Sequence, residues 1–309
     1  SHPSYMPRPS PLLSAVRVEI IPILRPSTNM DREPAMFFGH GGGPSFFMDV
    51  GSNHPMKSID ATSETCRNLK QCMTRVYKSS DHKPKAIIVV SAHWEATSKF
   101  EVLMKNPPDL LFDYYGFPKE TYQLKYNCPF DEGLANEIVE LLSQAGLPVG
   151  VNKSRGLDHG VFIPLMLLFP NADIPVVQVS LHDSSDPKSH LALGAALAPL
   201  RSKGVLIIGS GMATHNLGET FESTSNPVSW AKQFQDWLDD TVLRSEPDQR
   251  RSRMIDWEKA PNARRAHPRE EHLLPLLVVI GASGEEPMAK LWGGWSGGHM
   301  SLASYSSQI

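Results

Sequence analysis

The sequence predicts an α/β fold, a three-layer sandwich whose central sheet is mixed, largely parallel and flanked by helices. Two observations carry this. Continuous β-branched runs, AIIVVS at 86–91 and VLIIGS at 205–210, suit strands buried on both faces. Stretches of helical periodicity lie between such runs, and strands alternating with helices imply parallel crossovers.

In chain order, AMFFG at 35–39 reads as a short buried strand ending at His40 and a glycine run. Residues 61–78 predict a helix of mixed character, and the strand at 86–91 ends at His93. DEGLANEIVELLSQAG at 131–146 is an amphipathic helix with acidic residues at its positive end and glycine at its close. A strand at about 148–152 follows. A short apolar helix is expected at 162–169, with Pro164 in its first turn, where a missing N–H is tolerated. IPVVQVS at 174–180 is a strand, 187–201 a helix stopped by Gly204, and 205–210 a strand leading to Gly211 and His215. Residues 228–243 form an amphipathic helix carrying Trp230, Phe234, Trp237 and Leu238. An apolar helix at 270–281 is opened by Pro268, with Glu270 and Glu271 at its positive end. The tail at 298–306 alternates like an edge strand. The aromatic, proline-rich loop at 105–127 suits a lid or a pocket wall.

No repeat or linker divides the chain. One catalytic domain is expected at 35–309, preceded by a proline-rich extension at 1–34. With 309 residues, 40% apolar and 20% charged, it can bury a full core. A formal net charge of −3 without a basic stripe gives nucleic-acid binding no electrostatic support. No apolar run approaches the roughly 20 residues of a membrane span, and the first residues lack the order of a secretory signal. Three cysteines without CxxC spacing argue against disulfides and thiolate metal sites, and predict a reducing, cytoplasmic setting.

Histidine is the informative residue. Three apolar strands run into histidine-bearing loops: FFGHGGG at His40, IIVVSAHW at His93 and VLIIGSGMATHN at His215. Ligands of open α/β sheets bind beyond the carboxyl ends of strands, so this repeated pattern brings three imidazoles to one rim. Neutral imidazole is the common ligand for iron and zinc. The HPREEH segment adds His267 and His272, whose separation is poor for one helix face, so one is expected to enter the site and the other to serve elsewhere. In RGLDHGVFIPL, Asp158 and His159 fit either a helix cap or a hydrogen bond to a substrate oxygen. Phosphate-loop, dinucleotide and serine-elbow motifs are absent.

Taken together, GHGGGPSFFMD, IIVVSAHWEA, RGLDHGVFIPLMLLFPNADIPVVQVSL, GVLIIGSGMATHNL, KAPNARRAHPREEHLLPLLVVIGAS and SLASYS resemble the class III (LigB-type) extradiol ring-cleavage dioxygenases, in the DOPA 4,5-dioxygenase branch. The resemblance runs from about residue 35 to the end. It implies a mononuclear non-haem Fe(II) centre that opens a catechol-type ring with dioxygen to a muconic semialdehyde. His40, His93 and His272 match the metal ligands, with His267 in the same motif as an alternative to His272. His215 matches the acid/base and His159 a second histidine beside substrate. Asp158, Trp94, His267 and Arg269 are expected around the substrate, Arg269 for an anionic substituent. Two motifs depart from the pattern: the usual SHGSP is GHGGGP here, and HPWPEH is HPREEH. The competing readings are a Zn²⁺ hydrolase on the same histidines and a non-catalytic relative. The partners implied are a small aromatic diol and dioxygen, with the number of subunits left open.

Overall fold

The computed structural model describes residues 32–307 apart from 78, 80, 81, 222 and 223; the expected extension lies outside the described residues except for 32–34. Its strands are β1 (Ala35–Gly39), β2 (Ala86–Ala96), β3 (Phe100–Leu103), β4 (Val149–Asn152), β5 (Val176–His182), β6 (Val205–Gly211) and β7 (Met288–Trp292). A ribbon of β8 (Trp295–Ser296) and β9 (Met300–Ser301) precedes β10 (Ser304–Ser307). The helices are α1 (Glu64–Lys70), α2 (Cys72–Val76), α3 (Glu132–Gln144), α4 (His159–Leu168), α5 (Pro187–Arg201), α6 (Ser229–Arg244), α7 (Pro247–Ile255), α8 (Ala263–Ala266) and α9 (Leu274–Ser283).

Eight strands form one sheet in the order β4-β3-β5-β2-β6-β1-β10-β7. The central strands β5, β2, β6 and β1 run parallel to one another, while β3 is antiparallel to β5 and β10 is antiparallel to β1 and β7. Strand alternation splits the core in two. Met36, Phe38, Ile87, Val89 and Ile208 face Leu69 of α1, Met73 of α2 and Phe162 of α4. Phe37, Ile88, Val90 and Ile207 face Ile138 of α3, Leu197 of α5, Phe234 of α6 and Leu277 of α9. The expected sandwich is therefore present. No helix among the described residues is long and apolar enough to cross a membrane. Cys66, Cys72 and Cys128 are buried free thiols.

Several elements differ from the sequence reading. The 61–78 helix is two short pieces broken at Gln71. β2 does not end at His93 but runs on to Ala96, with His93 inside a bulge between Val90 and Glu95. α4 starts at His159, so Pro164 lies inside the helix rather than in its first turn. α9 starts at Leu274, with Pro275 rather than Pro268 at its entrance, so Glu270 and Glu271 lie in the preceding turn. The tail is not an edge: β10 is held between β1 and β7. β3 and α7 are elements for which the sequence gives no expectation, because FEVL is too short and α7 too polar to show periodicity.

One buried histidine ties stability to pH. Burial pulls the pKa of His190 from 6.5 down to about 4, partly offset by its hydrogen bond to the Asp186 carbonyl. Nδ1 lies 2.7 Å from that carbonyl, and Nε2 accepts from the backbone N–H of His182 at 3.2 Å. Protonation would destroy the second bond. Because the folded value lies below the unfolded one, this contribution is complete above pH 6.5 and is lost as pH falls toward 4. At full extent the gap corresponds to roughly 3 kcal/mol. Urea unfolding at pH 7 and pH 4.5 should show a smaller stability loss in His190→Gln than in wild type; equal losses would contradict this account.

Candidate metal centre

β1, β2 and β6 are mutually parallel, so their carboxyl ends share one side of the sheet. His40 follows β1 directly and donates its backbone N–H to the Gly211 carbonyl at 3.1 Å. His93 sits at the bulge of β2, where its N–H donates to Ser91 Oγ (3.2 Å) and its carbonyl accepts from Arg155 Nη2 (2.7 Å). His272 lies in the turn before α9, and its carbonyl accepts from Met212 N–H at 3.0 Å. A Cβ on Gly211 would fall 2.2 Å from that carbonyl, so only glycine lets the end of β6 touch this turn.

These three histidines each place a ring nitrogen within 4.8 Å of the others. The Nε2 atoms of His40 and His93 are 3.1 Å apart. His40 Nδ1 is bonded to Ser210 Oγ (3.0 Å) and His272 Nδ1 to Glu271 Oε1 (2.9 Å), while Asp113 Oδ2 lies 3.8 Å from His93 Nδ1. Burial, reinforced by the neighbouring imidazoles, holds all three pKa values well below 6.5, so the rings are neutral donors. Two nitrogens bound to one ion at about 2.1 Å, at roughly a right angle or slightly more, would lie about 3.0–3.4 Å apart. The donor set therefore fits a divalent transition metal.

Two further imidazoles flank the cluster. His215 stacks on His272 with centroids 3.5 Å apart, and burial lowers its pKa to about 4. Its backbone N–H donates to the Ala266 carbonyl (2.9 Å), fixing the loop after β6. His159 opens α4 with its ring 4.0 Å from that of His93. Asp113 clamps it twice, accepting from its backbone N–H (3.0 Å) and bonding Nδ1 (2.8 Å), which leaves Nε2 available to the site. Burial pushes the Asp113 carboxyl up, but His159 outweighs it and holds the acid ionised. Tyr114 meets His159 edge-on at 5.9 Å and packs with Phe112, Phe117 and Tyr122, so the 105–127 loop forms an aromatic wall.

The four residues expected around the substrate are placed otherwise. Asp158 is fully buried and bonds Ser91, Gln178 and Arg155, which makes it a strut behind the site rather than a substrate contact. Trp94 is 4% exposed under the Arg155 guanidinium (5.1 Å) and has no ring contact with the imidazoles. His267 is buried between Phe234 and Trp257 with Nε2 on the Ala213 carbonyl (3.0 Å), and so stands outside the cluster. Arg269 is exposed, with its charge already met by Glu95 at 2.9 Å. Sequence reasoning missed Ser210, Asp113 and Glu271, which hold ring nitrogens from behind. Asp113, a lone acid in an aromatic stretch, was the one with a readable signal.

Inward-facing neutral imidazoles at the carboxyl edge of an α/β sheet make a site that could hold a metal ion. The chain belongs to the family of the catalytic LigB subunit of aromatic ring-opening dioxygenases, matched over residues 36–305. It is 42% identical over 264 residues to the 4,5-DOPA dioxygenase extradiol of Beta vulgaris, covering 84% of this chain and 95% of that protein. It is 33% identical to the protein of that name from Escherichia coli K12, over 91% of this chain and 96% of the relative. The crystal structure of an uncharacterized Escherichia coli K12 protein superposes with a TM-score of 0.68 at 32% identity, covering 89% and 99% of the two chains. The protein is thus an extradiol ring-cleaving dioxygenase, an oxidoreductase.

Proposed function

We propose that this enzyme opens a catechol-type substrate, DOPA-like or otherwise substituted, to a muconic semialdehyde, using dioxygen and Fe(II) held by His40, His93 and His272 in a catalytic domain of residues 35–309. The observation that carries this reading is the convergence of three neutral ring nitrogens within 4.8 Å, from chain positions far apart, beside two imidazoles free for proton transfer. Fe(II) held by these three residues would supply the redox chemistry that lets a catechol and dioxygen, which otherwise react slowly, react together.

The chain's own groups handle the protons. His215, neutral and stacked on His272, accepts a proton from a catechol hydroxyl and later returns it. His159, fixed by Asp113, directs Nε2 at the neighbouring oxygen. The ring cluster around Tyr114 supplies an apolar wall that excludes water.

Protein loaded anaerobically with Fe(II), then given air and a catechol, should consume one dioxygen per yellow ring-opened product. Zn²⁺-loaded protein, which fits the same imidazoles, should consume none. Absence of oxygen uptake across a panel of substituted catechols would overturn the reading.

A further inference from the structure

Pro164 breaks the hydrogen-bond ladder of α4, and the break has a partner. Lacking an N–H, it leaves the Gly160 carbonyl without its helical donor. That carbonyl accepts instead from Ser210 Oγ, on the neighbouring β6. Ser210 is fully buried, and among the described residues the one other hydrogen-bond partner of its hydroxyl is His40 Nδ1 at 3.0 Å. The bookkeeping of hydrogens is strict here. A carbonyl cannot donate, so the single hydroxyl hydrogen of Ser210 points at Gly160. Toward His40 the oxygen can then only accept, and Nδ1 must carry the hydrogen. His40 Nε2, 3.1 Å from His93 Nε2, is left with its lone pair facing the cluster.

From this geometry we infer that Ser210 is a positioning residue, which fixes His40 in the tautomer able to bind metal, and that Pro164 keeps the Gly160 carbonyl available to orient the hydroxyl. The register supports a built device. Ser210 is paired with Ser91 of β2 across the sheet, and Ser91 donates to Asp158 at the start of the same helix. Two hydroxyls on adjacent strands thereby pin the first turn of α4. Gly160 is required for this approach, because a Cβ there would meet Ser91 Oγ at 2.4 Å. The inference rests on the reading of His40 as a ligand, but half of its test does not.

The test compares wild type, Ser210→Ala and Pro164→Ala. In metal-free protein, ¹⁵N chemical shifts of the His40 ring should report the Nδ1–H form in wild type and a mixture of tautomers in Ser210→Ala. Pro164→Ala restores an N–H that competes for Gly160, and should give a smaller change in the same direction while keeping the hydroxyl. Co²⁺ titration should show affinity weakened about 10- to 100-fold in Ser210→Ala, the range for losing a partner behind a ligand. An unchanged tautomer in both variants overturns the inference, as does an altered tautomer with Co²⁺ affinity within about twofold of wild type. If His40→Ala binds Co²⁺ like wild type, the ligand reading fails instead. Circular dichroism of each variant separates either result from unfolding, and Pro164→Ala, which keeps the hydroxyl, carries the test if Ser210→Ala does not fold.

Discussion

Replacing His272 with alanine is expected to strip the protein of its metal and abolish turnover, whereas replacing His267 is expected to leave the metal in place. The two histidines share one short motif but have different surroundings. His272 joins His40 and His93 around a common point, with its Nδ1 on Glu271. His267 is sealed between Phe234 and Trp257, bonded to the Ala213 carbonyl, and burial drops its pKa to about 3. Losing a group that only supports a ligand weakens metal binding about 10- to 100-fold, so losing the ligand itself should exceed about 100-fold. His267→Ala instead opens a cavity and orphans a carbonyl, at a cost of roughly 2–4 kcal/mol of stability. Elemental analysis after dialysis, set beside thermal unfolding, separates the outcomes. Retention of stoichiometric metal by His272→Ala would remove it from the ligand set.

The second large effect is expected at His215. Its ring is not among the three nitrogens that meet around the common point, yet it lies flat against one of their owners at 3.5 Å. His215→Ala should therefore keep its metal while turnover falls about 10²- to 10⁴-fold, the usual worth of a positioned acid/base group. Binding of a catechol, followed by its difference spectrum, should survive in that variant. If oxygen uptake stays near the wild-type rate, the proton is handled elsewhere, with His159 the next group to replace.

Most of the sheet was legible because buried parallel strands are written as unbroken apolar runs; 86–91 and 205–210 left little choice. What could not be read was where elements begin and end relative to one another. Strand-end spacing pointed equally to His40, His93 and His215, the HPREEH segment offered either His267 or His272, and only resemblance to a family favoured His272. The physical reason is tertiary: His272 is placed by the contact of its carbonyl with Gly211 and Met212, some sixty positions earlier in the chain. Asp158 fitted either a helix cap or a substrate contact, and it stands at the cap position of α4 without a side-chain cap bond. Its side chain turns inward, where Ser91, Gln178 and Arg155 satisfy it. Asp113 and Ser210 have no periodic signature at all, since each acts on a histidine remote in sequence.

The seating of β10 between β1 and β7 closes the second edge of the strand that carries the first imidazole. Gly39 N–H donates to Ser304 Oγ at 3.1 Å, one residue before His40, and Ala35 N–H donates to Ser307 Oγ at 3.0 Å. Paired with β6 on one flank and β10 on the other, β1 has no open edge, so His40 leaves a strand held from both sides. The first imidazole is therefore anchored by segments remote from it in sequence, and a substitution that loosens β10 should be felt at His40 without touching it.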